Sequence, residues 1–242
     1  MYNAVMSIVA IPMGMLLNLL YSFIGNYGIT LIVFTVIVKA CLFPLYANQI
    51  KHTSRMGDMQ PKMKSLQKKY ANDKETLNLK MMELYKEEKF NPMGGCLPML
   101  IQMPIILGLF VLLRDPVSFI SNTDMIMAVH ESFLWIPDLS QSDPWILPIL
   151  AGVATFFSFS LTQKQNNGMP ENNQMAPMMA MMKYFFPVMI VWMGRSFPAG
   201  LTLYWFIGTI FQIFQTMGLN RSRRKKMEKS EKAGSKNKKG GK

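Results

Sequence analysis

The stretch ITLIVFTVIVKACLFPL, residues 29–45, decides how the chain is to be read. Sixteen of its seventeen residues are uncharged, most are strongly apolar, and Lys39 sits among them. A run of this kind is about as long as a helix needs to cross a ~30 Å hydrocarbon core. A full charge inside such a span is costly, so something must hold it there.

Comparable apolar runs recur near 26–47, 95–113, 145–163, 178–194 and 198–218, in a chain of 242 residues of which 50% are hydrophobic. The pattern predicts an all-α integral membrane protein with a five-helix transmembrane core. Charge orients it. Residues 48–92 carry ten Lys/Arg against six Asp/Glu and residues 219–242 carry eleven against two, whereas 114–144 carry one against five. Excess Lys/Arg marks the cytoplasmic side. The expected topology has the N-terminus outside, 48–92, the inner loop 164–178 and the basic tail 219–242 inside, and the loop 114–144 outside. Residues 1–24 contain no charged side chain, and Pro12 and the GNYG break at 25–28 favour an interfacial helix on the outer face over a sixth span.

Between the first span (25–47) and the remaining four (93–218), the segment 48–92 repeats apolar residues at helical spacing. Met56, Met59, Met63, Leu66 and Tyr70 form one face, Leu77, Met81 and Leu84 another, and AND at 71–73 separates them. This predicts a cytoplasmic antiparallel helical hairpin with Met-rich, adaptable faces. The turn RSFPAG, 195–200, is so short that the last two spans are expected to be antiparallel neighbours. The tail from Arg221 is expected to be disordered alone.

Lys39 has three readings: its stem snorkels to the inner interface, it pairs with a carboxylate, or it faces water. Snorkelling is limited, because the span continues eight residues to Ala47, about 12 Å of helix, and a lysine stem covers only ~6 Å of that. No Asp or Glu lies in any of the five runs. The remaining reading is a hydrophilic groove holding one fixed positive charge. Polar residues at steps of three and four support it: Thr35 beside Lys39, Gln102 in the second span, Thr155, Ser158 and Thr162 in the third, and Trp205, Thr209, Gln212 and Thr216 in the fifth. The same residue types also join ordinary helix bundles.

The composition excludes other chemistries. With two Cys and two well-separated His there is no metal-ligand cluster, and no cofactor motif is present. Proton-coupled transport needs an intramembrane titrating group other than this lysine, and both His52 and His130 lie in loops. Ser158 has no His or Asp companion in any span, so no nucleophile is activated. The site reads as a binding surface for something polar or anionic, not as an enzyme's.

Five ordered segments carry a family resemblance: LLNLLYSFIGNYGITLIVFTVIVKACLFPL (16–45), NPMGGCLPMLIQMPI (91–105), FLWIPDLS (133–140), WILPILAG (145–152) and KYFFPVMIVWM…FPAGLTLYW (183–205). Together they resemble the YidC insertase family, in its Gram-positive type with a short N-terminus, over about Leu16 to Leu219. The resemblance implies a membrane protein insertase and chaperone of the bacterial plasma membrane. Its groove opens to cytoplasm and lipid, and its basic residue attracts the acidic outer segment of an incoming substrate, whose apolar segment then slides into the bilayer. It implies a groove lined by Lys39, Thr35, Gln102, Thr155, Ser158, Trp205, Thr209 and Gln212. Expected partners are nascent membrane proteins, the ribosome through the basic tail, the Sec translocon and signal recognition machinery, and anionic lipids, with no DNA. Two positions depart from the family's usual pattern, Lys39 where arginine is usual and Thr209 where asparagine is usual. The competing readings are a small-anion transporter or channel and an assembly factor without a groove.

Overall fold

The computed structural model describes residues 2–89, 97–115, 119, 123–165 and 176–239. Nine α-helices follow one another among them: α1 (Tyr2–Ile24), α2 (Tyr27–Cys41), α3 (Phe43–Lys69), α4 (Lys74–Glu87), α5 (Leu97–Arg114), α6 (Thr123–Ala128), α7 (Ile146–Gln165), α8 (Ala176–Gly194) and α9 (Ala199–Lys239). Within α7, Ile146–Gln163 is long and apolar enough to cross a membrane. The bent pair Tyr27–Cys41 and Phe43–Lys51 passes the same test if taken as one span. Shorter apolar helices run over Ile8–Ile24, Gln102–Arg114 and Ala180–Gly194.

The bend corrects one expectation. The run 25–47 is not a single helix but breaks at Leu42, with α2 and α3 inclined by 54°. Pro44 explains the break: it cannot donate to the preceding turn, and it disfavours helical backbone before it while suiting the first turn of a new helix. Lys39 therefore occupies the last turn of α2, just before the bend. The partial negative charge of the exposed C-terminal carbonyls favours a cation there.

At the other end of α2, Gly25 adopts φ +66°, a left-handed conformation that suits glycine, and ends α1. Asn26 then caps α2 by accepting from Ile29 N at 3.0 Å. α1 packs on α5 and α2 and buries Ala10, Met13 and Leu17. The main core continues through Tyr27, Leu31 and Phe34 of α2, Leu109, Leu112 and Leu113 of α5, and Leu201, Leu203 and Tyr204 of α9.

The segment 129–145 closes the α2 N-terminal end of the bundle with polar groups consumed internally. Glu131 accepts from Tyr21 Oη (2.6 Å) and from the α2 amide of Tyr27 (2.8 Å). Asp143 accepts from the amides of Trp145, just before α7, and of Ile146 and Leu147 at its start, and from the Trp135 indole. The carbonyls of Leu139 and Gln141 take the first α9 amides, Gly200 N and Ala199 N. Phe133 lies against Gly28, where any side chain would overlap its ring.

From the opposite end of α2, α3 and α4 extend as the expected hairpin. Met59, Met63 and Leu84 form its small core, with Leu66, Met81 and Tyr85 around it, and Lys62 pairs with Glu88 across it. Asp73 caps α4 through Thr76 N. Met56 lies where side chains are outside the described residues.

Two further expectations change. α8 and α9 are joined by a tight turn, yet α8 packs along α7, and α9 packs along α7 and α2. A short loop fixes connectivity, whereas shape decides which helices lie side by side; α8 and α9 meet at the Phe186–Trp205 ring pair and at Gly194 beside Thr202. The tail is not irregular: α9 runs on to Lys239. Its Lys, Arg, Glu and Met are good helix formers, and a helix already nucleated costs little to extend. Residues 91–96 and most of the loop 164–178 lie outside the described residues.

Candidate functional site

Lys39 sends its ammonium toward α5, where Nζ donates to Gln102 Oε1 at 2.9 Å. Gln102 Nε2 donates in turn to Tyr204 Oη of α9, also at 2.9 Å. Because an ammonium only donates, it faces the amide oxygen, and the amide nitrogen must then find an acceptor. The Lys39 carbonyl, exposed by the end of α2, accepts from Gln215 Nε2 of α9 at 3.4 Å. The charge thus rests on one neutral amide of α5, which a hydroxyl of α9 orients in turn. Lysine–carboxylate pairs occur elsewhere, in Lys62–Glu88 and Lys80–Glu83.

The eight expected site residues separate into groups. Lys39 and Gln102 touch directly. Thr155 and Trp205 form a second pair, the indole Nε1 donating to Thr155 Oγ1 at 3.1 Å. Tyr204 and Trp205, adjacent on α9, serve the two pairs because successive helix residues point about 100° apart. Thr35 is fully buried against α9, and its hydroxyl donates to Leu31 O of its own helix. Ser158 is buried, and its carbonyl accepts from Thr162. Thr209 donates to Trp205 O, and the Gln212 carbonyl accepts from Thr216, whose hydroxyl also bonds Tyr46 Oη at 2.6 Å. Thr35, Thr155 and Ser158 therefore pack between helices, while Lys39, Gln102, Trp205, Thr209 and Gln212 are half-buried.

Two neighbours of Lys39, and a cation apart from it, carry no signal in the residue spacing. Tyr204 completes the Lys39 chain, and its neighbour Trp205 drew attention instead. Gly208 stands against the Lys39 stem. Lys183 is a second cation within the runs counted as holding one; it lies on α8 over the rings of Phe156 and Tyr184, at 5.7 and 5.1 Å from their centroids. Stacking on aromatic faces supports a cation there without a carboxylate. A pocket of about 540 Å³ opens at the closed end, lined by residues including Arg114, His130 and Phe197, and contains none of the eight.

The carboxylates of the segment 129–145 are held by geometry. Burial pushes the Asp143 carboxyl up, but the Trp135 indole and the three amides at the start of α7 outweigh it and hold it below the usual carboxylate range. Asp138 is also held low: burial raises it, while Ser140 and His130 lower it further. These groups are engaged by neighbouring side chains and helix-end amides; among the described residues no cluster of three or more metal-ligating side chains occurs.

What the residues build is an all-helical protein with a polar seam around Lys39 between α2, α5 and α9. Its sequence matches the 60Kd inner membrane protein family over residues 19–228. The chain belongs to that family, the YidC membrane protein insertases. The Membrane protein insertase YidC of Fusobacterium nucleatum is 39% identical over 204 residues, covering 84% of this chain and 90% of the relative. Membrane protein insertase YidC 2 of Listeria innocua is 42% identical over 209 residues, covering 84% and 67%. The YidC of Hahella chejuensis is 38% identical, but the chain spans only 34% of its length. A solved structure described as an active YidC insertase with its first transmembrane domain resolved superposes with a TM-score of 0.59 at 30% identity, covering 81% of this chain and 43% of that one.

Proposed function

We propose that the chain inserts membrane proteins by receiving a polar, acidic outer segment at Lys39 and letting the attached apolar segment move into lipid along the α7–α9 side. It is an insertase and not an enzyme. The observation that carries this reading is the Lys39–Gln102–Tyr204 chain: a charge held in a helical bundle by neutral groups alone. A cation so placed keeps its long-range field. A carboxylate brought within ~4 Å in a medium of effective dielectric near 20 would gain about 4 kcal/mol of Coulomb energy, before the cost of its own desolvation.

In this reading α2 with the start of α3, α5, α7, α8 and the apolar half of α9 are the five spans. α1 lies on the outer interface, the α3–α4 hairpin and the basic end of α9 are cytoplasmic, and the loop sealed by Glu131 and Asp143 is outside. The charge asymmetry along the sequence supports that orientation. The sealed loop supports one-sided access, since its acids are engaged with helix ends. Nascent chains are the substrates, and the basic end of α9 suits phosphate-rich ribosomal RNA and anionic headgroups. The Sec translocon and signal recognition machinery are partners on the family pattern. A groove-less assembly role draws on one observation, the buried, backbone-bonded hydroxyls of Thr35 and Thr155.

Insertion of a single-span substrate into proteoliposomes, read by protease protection, separates the readings. Lys39→Arg should insert near normally, and Lys39→Ala should lose acidic-tailed substrates selectively. Equal insertion by wild type and Lys39→Ala would leave only the packing role.

A further inference from the structure

α9 crosses the last turn of α2 at Gly208. A Cβ at this position would stand 2.8 Å from Lys39 Cε, 3.5 Å from Nζ and 3.6 Å from Thr35 Cγ2. The first distance is shorter than packed carbon atoms tolerate, so the lysine stem lies across bare helix backbone that any larger residue would cover. Four residues earlier on the same helix, Tyr204 accepts from Gln102 Nε2 and so presents Gln102 Oε1 to the ammonium. One helix thus touches the charge twice, once through the space it leaves and once through the amide it orients.

We propose that Gly208, with Tyr204 acting through Gln102, positions the Lys39 ammonium for capture of an acidic substrate segment. This rests on the reading of Lys39 as the substrate-attracting charge. Gly208 is a positioning residue: it makes no polar contact, and its contribution is the slot in which the stem lies. The atom that obstructs a methyl group at 208 is near the end of a flexible side chain. A small side chain there therefore moves the ammonium off Gln102 and leaves the helices in place. The charge persists while its location changes, which separates position from mere presence.

Tyr204 acts differently. Without its hydroxyl, Gln102 Nε2 loses its acceptor, and the amide is free to turn its oxygen away from Lys39. Replacing Gln102 by glutamate would do the reverse, placing a permanent carboxylate beside the ammonium and occupying the charge before a substrate arrives.

The test uses two single-span substrates that differ only in an acidic or neutral outer segment, inserted into proteoliposomes containing the full chain. The readout is the ratio of the two insertion yields. A general folding defect lowers both yields and leaves the ratio, whereas mispositioning of Lys39 lowers the ratio. Gly208→Ala should reduce it about tenfold, the scale of one hydrogen bond to a charged group. Tyr204→Phe should reduce it in the same direction, and Gln102→Glu should abolish the acidic preference. Gly218→Ala, on the same helix and with nothing within 4 Å of the new Cβ, should keep the wild-type ratio. If Gly208→Ala and Tyr204→Phe both retain the ratio while Lys39→Ala loses it, the positioning proposal is overturned and the charge reading stands. If Lys39→Ala also retains the ratio, the charge reading itself is wrong, and the positioning proposal goes with it.

Discussion

Replacing Asp143 by alanine should loosen the sealed end of the bundle by an amount that can be worked from its contacts. The residue is 5% exposed, and its carboxylate accepts four hydrogen bonds: from the Trp135 indole at 2.7 Å and from the amides of Trp145, Ile146 and Leu147 at 3.0, 3.1 and 3.1 Å. Loss of an N-terminal helix cap costs about 1 kcal/mol. Leu147 is 1% exposed, so its amide has no water to turn to, adding roughly 1–3 kcal/mol for a buried unsatisfied donor. The exposed Trp135 indole can bond water and adds little. The total is about 2–4 kcal/mol. Asp143→Asn keeps one acceptor oxygen, but its amide nitrogen must face two of the four donors, so it loses two hydrogen bonds as well as the charge at the helix N-terminus and recovers only part of the alanine loss. The assay is thermal unfolding in detergent, followed by tryptophan fluorescence, with the order wild type, Asn, Ala. Because the folded carboxyl is held below its ordinary value, its contribution is fully present above about pH 4, the unfolded range, and fades as pH falls through the folded pKa. The Asn variant should lack that acid-dependent component. An Ala variant that melts with wild type would refute the capping account.

Other perturbations test other joints. Glu131→Ala removes the shared acceptor of Tyr21 Oη and Tyr27 N and should cost about 2–3 kcal/mol, read in the same melts. Met63→Asp places a charge in the three-residue core of the α3–α4 hairpin; limited proteolysis should cut the hairpin early while the α7–α9 region stays protected. Lys62→Ala breaks an exposed ion pair and should leave that proteolysis pattern unchanged. Truncation after Asn220 should weaken ribosome association most at low salt, with the difference shrinking as salt rises; equal binding at all salt concentrations would remove the tail from docking.

Much of this architecture is legible in residue order. The apolar runs located the long helices, the AND turn located the hairpin, and Lys39 with Gln102 located the seam. The kink at Leu42 was also legible: Pro44 announces it, but an unbroken hydropathy run conceals it. Lys183 was overlooked because the adjacent aromatic residues dominate its segment. Other features needed the third dimension. A tight turn between α8 and α9 does not say that α7 takes the place beside each. The acids of 129–145 read as surface charge, yet Glu131 is spent on Tyr21 and on the first amide of α2, both distant in sequence. Thr35 and Thr155 match a groove face by spacing, but a hydroxyl on a helix can satisfy itself on its own carbonyl four residues back, and both do.

The central claim is that a fixed positive charge at position 39 selects the substrate's outer segment by sign. Its most direct measurement is a charge swap: Lys39→Glu assayed with a single-span substrate bearing an acidic outer segment and with one whose acids are replaced by lysine. The account predicts that Lys39→Glu rejects the first and recovers insertion of the second. Full insertion of the acidic substrate by Lys39→Glu would contradict it.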